Sequence, residues 1–246
     1  MKNLMTPGLG YVCNFPLGAY NIRYVFCIQD ENYHLTNRFL SGSVLINDSA
    51  WWVTGGNVNS ARYSSEIYHT PNKEWRWFVK FPEPGFQQGH CNLQINSTHY
   101  FMTGGYNRSD DYIVDITKPD EPNFLVLPPS QFNTDFAACG FIQRKNGKND
   151  IMVAAGGRGN IRTNITEIFS LETMQWRRGP DLPNEIMLSK GIQFGDTMLV
   201  VGGDGSDGAI LIFDNDNDSW RTLPQLLNFS EFVEVAFLVP EDAVNC

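Results

Sequence analysis

The run Asp214-Asn215-Asp216-Asn217-Asp218-Ser219 alternates carboxylates in a way that suits a hard cation seeking oxygen ligands. Its sixth position is serine rather than glycine, and the twelfth is Gln225 rather than glutamate. The segment therefore reads as a polar turn, and no metal or other cofactor is expected. No Gly-X-Ser-X-Gly, Walker loop, Cys-X-X-Cys or His-Glu-X-X-His occurs, so nothing points to nucleophilic, nucleotide or zinc chemistry. Two other residue types carry covalent chemistry. The five cysteines (Cys13, Cys27, Cys91, Cys139, Cys246) allow two disulfides and one free thiol with open connectivity, or equally a set of buried thiols. Six Asn-X-Ser/Thr triplets, at Asn47, Asn96, Asn107, Asn164, Asn217 and Asn228, are glycan acceptors if the chain is secreted. Asparagine also favours turns for its own reasons.

The elements that must position these groups follow a repeat. Glycine pairs close four short apolar runs: Gly55-Gly56, Gly104-Gly105, Gly156-Gly157 and Gly202-Gly203, at intervals of 49, 52 and 46 residues. An apolar or aromatic marker follows each pair (Tyr68, Ile116, Phe169, Phe213), and then a bulky aromatic (Trp75, Phe124, Trp176, Trp220). Each unit ends on a proline turn: Phe81-Pro82, Leu127-Pro128, Leu182-Pro183 and Leu223-Pro224. The apolar runs are too short for helices and read as buried strands. Each unit is thus strand a, tight turn, strand b ending in glycine, loop, strand c, turn, strand d. A period of about 50 residues means one supersecondary unit copied several times.

Taken together, the diglycine after an apolar run, the spaced aromatic and tryptophan, and the Leu-Pro close resemble the Kelch repeat. The resemblance covers about residues 43 to 231, in units of approximately 43–88, 89–135, 136–187 and 188–231. The second unit departs from it, with Phe124 for tryptophan and Ile116 for tyrosine, and the last two units carry Phe169 and Phe213 in place of tyrosine. The resemblance implies an all-β, Kelch-type β-propeller of about five four-stranded blades, forming one domain over 1–246. In that arrangement 232–239 supply a closing strand a, Tyr11 to Phe15 strand b, and 23–36 strands c and d. The rival account is a six-bladed ring truncated at its N-terminus. Nothing resembles the dimerisation domain of intracellular Kelch ubiquitin-ligase adaptors.

The net charge of −9 argues against nucleic acid, which needs a basic footprint. No apolar run approaches the length of a membrane span. Met1 to Phe15 is no signal peptide, because Pro7, Gly8 and Gly10 interrupt any apolar core. The six sequons and a pattern, including His90-Cys91 and the Val-Pro-Glu-Asp tail ending in Cys246, that is similar to secreted invertebrate Kelch-type proteins nevertheless favour an extracellular monomer, with a cytoplasmic one as the alternative.

In Kelch-type propellers the b–c and d–a loops emerge on one face, where relatives bind partners. Here the b–c loops carry Arg62 and Tyr63, Tyr106 and Arg108, Arg158 and Arg162, and Asp204 and Asp207. Arginine and tyrosine join apolar area to directed hydrogen bonds, as interface hot spots require. The expectation is a non-catalytic module that binds a protein or a glycan through this rim, with an intracellular Kelch adaptor or scaffold propeller as the alternative. Some Kelch-type relatives are copper oxidases, but His90 and His99 flank one strand and belong at its opposite ends. A sugar-isomerising propeller is the remaining enzyme alternative.

Overall fold

A chain of short apolar runs punctuated by glycine and proline cannot sustain helices, but it can pair strands through tight turns. The computed structural model describes residues 12–17, 20–25, 41–46, 50–56, 63–69, 71–72, 74–82, 88–106, 110–132, 135–158, 161–226 and 237–240. Every regular element among them is a β-strand. An N-terminal hairpin comprises β1 (Val12–Leu17) and β2 (Tyr20–Val25). The first four-stranded sheet is β3 (Gly42–Ile46), β4 (Ala50–Thr54), β5 (Ser64–His69) and β6 (Glu74–Lys80). The second is β7 (His90–Gln94), β8 (His99–Gly104), β9 (Tyr112–Asp115) and β10 (Asn123–Val126). The third begins with β11 (Ala138–Gln143) and β12 (Asn149–Ala154). A two-residue ribbon, β13 (Gly157–Arg158) and β14 (Ile161–Arg162), then intervenes before β15 (Thr166–Ser170) and β16 (Gln175–Arg178) complete it. The fourth is β17 (Lys190–Phe194), β18 (Thr197–Val201), β19 (Ala209–Asp214) and β20 (Ser219–Leu226), and β21 (Phe237–Pro240) follows.

Each four-stranded sheet is an antiparallel meander. Their first strands meet in succession, β3 against β7, β7 against β11, β11 against β17 and β17 against β21. That succession is the arrangement of propeller blades, with strand a innermost. The fifth sheet differs from the sequence expectation. The C-terminal strand does join the N-terminal hairpin, but the order is β1-β2-β21, so β21 pairs with Tyr20–Val25 and not with the strand over Tyr11 to Phe15. Of residues 23–36, expected to supply strands c and d, 23–25 belong instead to β2, next to β21, and 26–36 lie outside the described residues.

Apolar layers between blades hold the ring together. Trp52, Tyr100 and Met102 pack between the first and second sheets, Phe101, Ile151 and Phe169 between the second and third, and Met152, Met198 and Leu211 between the third and fourth. Full burial of side chains this size contributes about 1.5–3 kcal/mol each. A disulfide joins Cys91 on β7 to Cys139 on β11, with Cα atoms 6.3 Å apart, and so bridges two neighbouring inner strands. The repeated tryptophans add polar links. Trp176 Nε1 donates to the Pro128 carbonyl at 2.9 Å, and Trp220 Nε1 to the Pro180 carbonyl at 3.2 Å. Each indole thereby fastens its own blade to the exit loop of the preceding one. Phe124 has no such donor and only packs, 5.8 Å from Phe81 and 6.1 Å from Tyr112.

Strand register refines two repeat markers. Tyr68, Phe169 and Phe213 stand directly opposite Trp75, Trp176 and Trp220, but the residue opposite Phe124 is Val114, not Ile116. A longer turn in the second blade hid this offset. In the third blade the position of Gly55 (φ 58°), Gly104 (φ 71°) and Gly202 (φ 64°) is taken by Ala155, at φ 56°. The equivalent pair is therefore Ala155-Gly156. Gly157 serves another purpose: it opens the β13–β14 ribbon, where a Cβ would sit 2.5 Å from the Ile161 carbonyl oxygen.

Candidate functional site: the loop face

The meander puts a–b and c–d turns at one end of every blade and b–c and d–a connections at the other. Backbone hydrogen bonds stitch the latter together across the second, third and fourth blades. Tyr106 N donates to Gln88 O (2.9 Å), Phe136 N to Gly89 O (2.8 Å) and Leu188 N to Phe136 O (3.1 Å). Asp135 bridges Gly157, Thr163 bridges Ile186, and Met187 bridges Asp204. Loops normally leave many backbone groups to water; here they satisfy one another, which makes a preorganised platform.

Three large apolar or aromatic side chains on this platform face solvent. Ile161, at the tip of the β13–β14 ribbon, is 72 % exposed, and Phe132 and Tyr106 are exposed beside their own loops. The Arg178 guanidinium lies 4.6 Å from the Phe132 ring centre and pairs with Asp181. Arg162 Nη1 stands 3.6 Å from Asp204 Oδ1, joining the b–c connections of the third and fourth blades. Gly205 makes room for this pair, since a Cβ there would come within 2.7 Å of Arg162 Nη1.

Two buried carboxylates hold the connection from the second blade to the third. Asp111, 1 % exposed, accepts from the Thr103 hydroxyl and from Ser130 N at 3.1 Å. Glu167, 2 % exposed, accepts from Gln131 N at 2.8 Å and Phe132 N at 3.4 Å. Burial pushes the Asp111 carboxyl up to about 6, outweighing the hydrogen bonds to its charged form, and the nearby Glu167 charge adds to the rise. Burial raises Glu167 as well, against its bonds from Gln131 and Phe132 and the attraction of Arg178. Phe132 is thus displayed by a loop whose backbone N–H groups are anchored from beneath.

Of the rim residues expected from sequence, the structure brings Arg162 and Asp204 together and places Tyr106 and Asp207 on the same face. Asp207 is exposed at a tight turn with φ 50°. Tyr63 is half-buried, and its carbonyl accepts from Phe81 N at 2.9 Å. Arg158 belongs to β13 through its backbone; its side chain, like the whole of Arg62 and Arg108, lies outside the described residues. Asn47, Asn107 and Asn228 lie outside them too. Phe132, Ile161, Asp111 and Glu167 were not foreseen. A signal for one existed: Ser65-Glu66-Ile67-Tyr68 and Thr166-Glu167-Ile168-Phe169 repeat a carboxylate inside an apolar strand, and both glutamates are buried.

The far face is polar. Asp214 spends both carboxylate oxygens within its own hairpin, on Asp216 N and Asn217 N (both 3.1 Å) and Asn217 Nδ2 (3.1 Å) in the turn, and on Arg221 Nε (3.2 Å) of β20. His90 and His99 stand at opposite ends of the second blade: His90 meets the Thr54 hydroxyl, whereas His99 sits at the turn beside Thr98. Among the described residues no three His, Cys, Asp or Glu side chains are grouped to hold an ion, and no helix is long and apolar enough to cross a membrane.

No protein-family model matches the chain. It is similar to host cell factor of Drosophila melanogaster, at 21 % identity over 188 residues, or 65 % of this chain. That stretch spans 12 % of host cell factor's length. Among solved structures it is similar to YjhT, with a TM-score of 0.62 at 13 % identity, over 79 % of this chain and 67 % of that one. With the sheet topology, the likeness to YjhT shows the fold, that of a Kelch-type β-propeller.

Proposed function

We propose that this propeller is a non-catalytic, extracellular interaction module that holds a protein partner on its loop face. The observation that carries the reading is the stitched platform itself, which displays Tyr106, Phe132 and Ile161 on backbone that cannot easily rearrange. Rigid aromatic and aliphatic anchors lose little entropy on binding. A glycan would fit the Arg162–Asp204 pair and Tyr106, but an isolated aliphatic tip such as Ile161 offers nothing to sugar hydroxyls. It suits an apolar pocket in another protein. The Cys91–Cys139 bridge supports the extracellular assignment, since such bonds persist in oxidising compartments.

The reading is tested by substituting Tyr106→Ala together with Ile161→Asp. Loss of an anchor costs on the order of 1–2 kcal/mol. Retention of partner material from the protein's native surroundings on the immobilised double variant should therefore fall by roughly 100-fold. The melting temperature should not move, because both side chains are solvent-facing. Undiminished capture would remove the loop face from consideration.

A further inference from the structure

Asn96, Ser97 and Thr98 form the tip of the hairpin turn between β7 and β8, at the end of the blade opposite the platform. Asn96 is exposed. Its Oδ1 accepts from the backbone N–H groups of Thr98 and His99, each at 2.9 Å, and from the Thr98 hydroxyl at 3.2 Å. His99 Nδ1 lies 3.2 Å from the same oxygen and 2.9 Å from the Thr98 hydroxyl. The oxygen is fully engaged, whereas among the described residues the Nδ2 of Asn96 has no partner.

We propose that Asn96 Nδ2 is an N-glycan acceptor, the favoured one among the described sequons; the inference rests on the extracellular reading above. The donor is an oligosaccharide linked through pyrophosphate to a lipid. Its C1–oxygen bond breaks, the C1–Nδ2 bond forms, the lipid pyrophosphate leaves with the electron pair, and one Nδ2 proton is lost to solvent. Contacts spanning only three residues shape the turn, so it forms in a nascent chain before the blade is complete. The finished blade tolerates the sugar, because an exposed turn tip has room for it.

The two other described sequons are built differently. Asn164 is half-buried, and its carbonyl accepts from Leu182 N at 2.8 Å. The Thr166 that completes its triplet is fully buried, with its hydroxyl 3.2 Å from Trp220 Nε1. Asn217 commits its Nδ2 to Asp214 Oδ2 at 3.1 Å. A glycan on Asn96 projects away from Tyr106, Phe132 and Ile161 and leaves the platform open, whereas one on Asn164 would stand beside it.

The test is site mapping on the full chain secreted from insect cells behind a cleavable leader, using peptide N-glycosidase in heavy-oxygen water. The expected result is a heavy-oxygen label at Asn96 on most molecules and none at Asn164. The variant Asn96→Asp, whose carboxylate accepts the same turn bonds, should be lighter by one glycan with an unchanged melting temperature. Bare Asn96 in chains whose Cys91–Cys139 bridge is closed overturns the assignment and leaves the extracellular reading standing. Free thiols at both cysteines in protein from its native source overturn the extracellular reading, and the glycan assignment falls with it.

Discussion

Replacing Cys91 and Cys139 together with alanine lowers the unfolding free energy by about 4 kcal/mol. The bridge closes a loop of 48 residues in the unfolded chain, and the chain-entropy relation assigns about 4 kcal/mol to a loop of that length. Alanine is the informative replacement, because both sulfurs are buried among Phe101, Ile151 and Phe169, where a hydroxyl would add a desolvation cost of its own. For a domain of this size the melting temperature should fall by about 10 °C. The bridge joins β7 of the second blade to β11 of the third. Calorimetry of the double variant beside the oxidised wild type measures the loss. Equal melting temperatures would show that the apolar layer alone holds those blades together.

Asp111 makes the stability depend on pH in a direction opposite to that of a salt-bridged carboxylate. Its folded-state value, about 6, lies above the ordinary 3.8. Between those two values the folded chain binds more protons than the unfolded chain, so stability falls as pH rises. The contribution is fully present below pH 3.8 and is lost as pH passes 6. Its size is roughly 2–3 kcal/mol, at 1.36 kcal/mol per pH unit. Burial raises Glu167 in the same direction. The variant Asp111→Asn removes this residue's share of the dependence while keeping two of its contacts: its amide donates to the Thr103 hydroxyl and its oxygen accepts from Ser130 N. Urea midpoints at pH 4 and pH 7 should differ less in the variant than in the wild type, with the variant gaining stability at pH 7. A wild-type-like difference in the variant would place the titration elsewhere.

Why is the carboxylate pair there at all? Ser130, Gln131 and Phe132 have backbone donors facing the protein, and a buried donor without a partner is costly. Asp111 and Glu167 satisfy them from adjacent blades, fixing the course of the loop that carries Phe132. The arrangement favours a shaped surface over maximal stability at neutral pH. Under the proposed binding role, that is the trade expected of a loop held ready for a partner.

The repeat was legible because its markers have direct steric or packing roles. Gly55, Gly104 and Gly202 adopt positive φ, and Trp176 and Trp220 each reach a carbonyl of the preceding blade. Pattern matching failed where a residue substitutes for a marker without resembling it. Ala155 accepts the left-handed backbone that its equivalents reserve for glycine, and Val114 takes the place given to Ile116. The C-terminal strand that joins the N-terminal hairpin was legible as an apolar run, but its partner was not, because two strands of similar character compete for it. The platform was only partly legible. Arginines and tyrosines in loops are visible in a sequence; the hydrogen bonds that make those loops rigid join residues far apart in the chain, such as Phe136 and Leu188.

The most direct measurement is contact mapping with a photoreactive amino acid placed singly at Ile161 on the loop face and at Lys145 on the a–b turn of the third blade. Full-length, disulfide-closed protein would be irradiated in material from its native surroundings and its adducts identified by mass spectrometry. The account predicts a discrete protein adduct at position 161 and none at position 145. An adduct confined to position 145, with position 161 bare, would contradict it and move the interaction surface to the opposite end of the propeller.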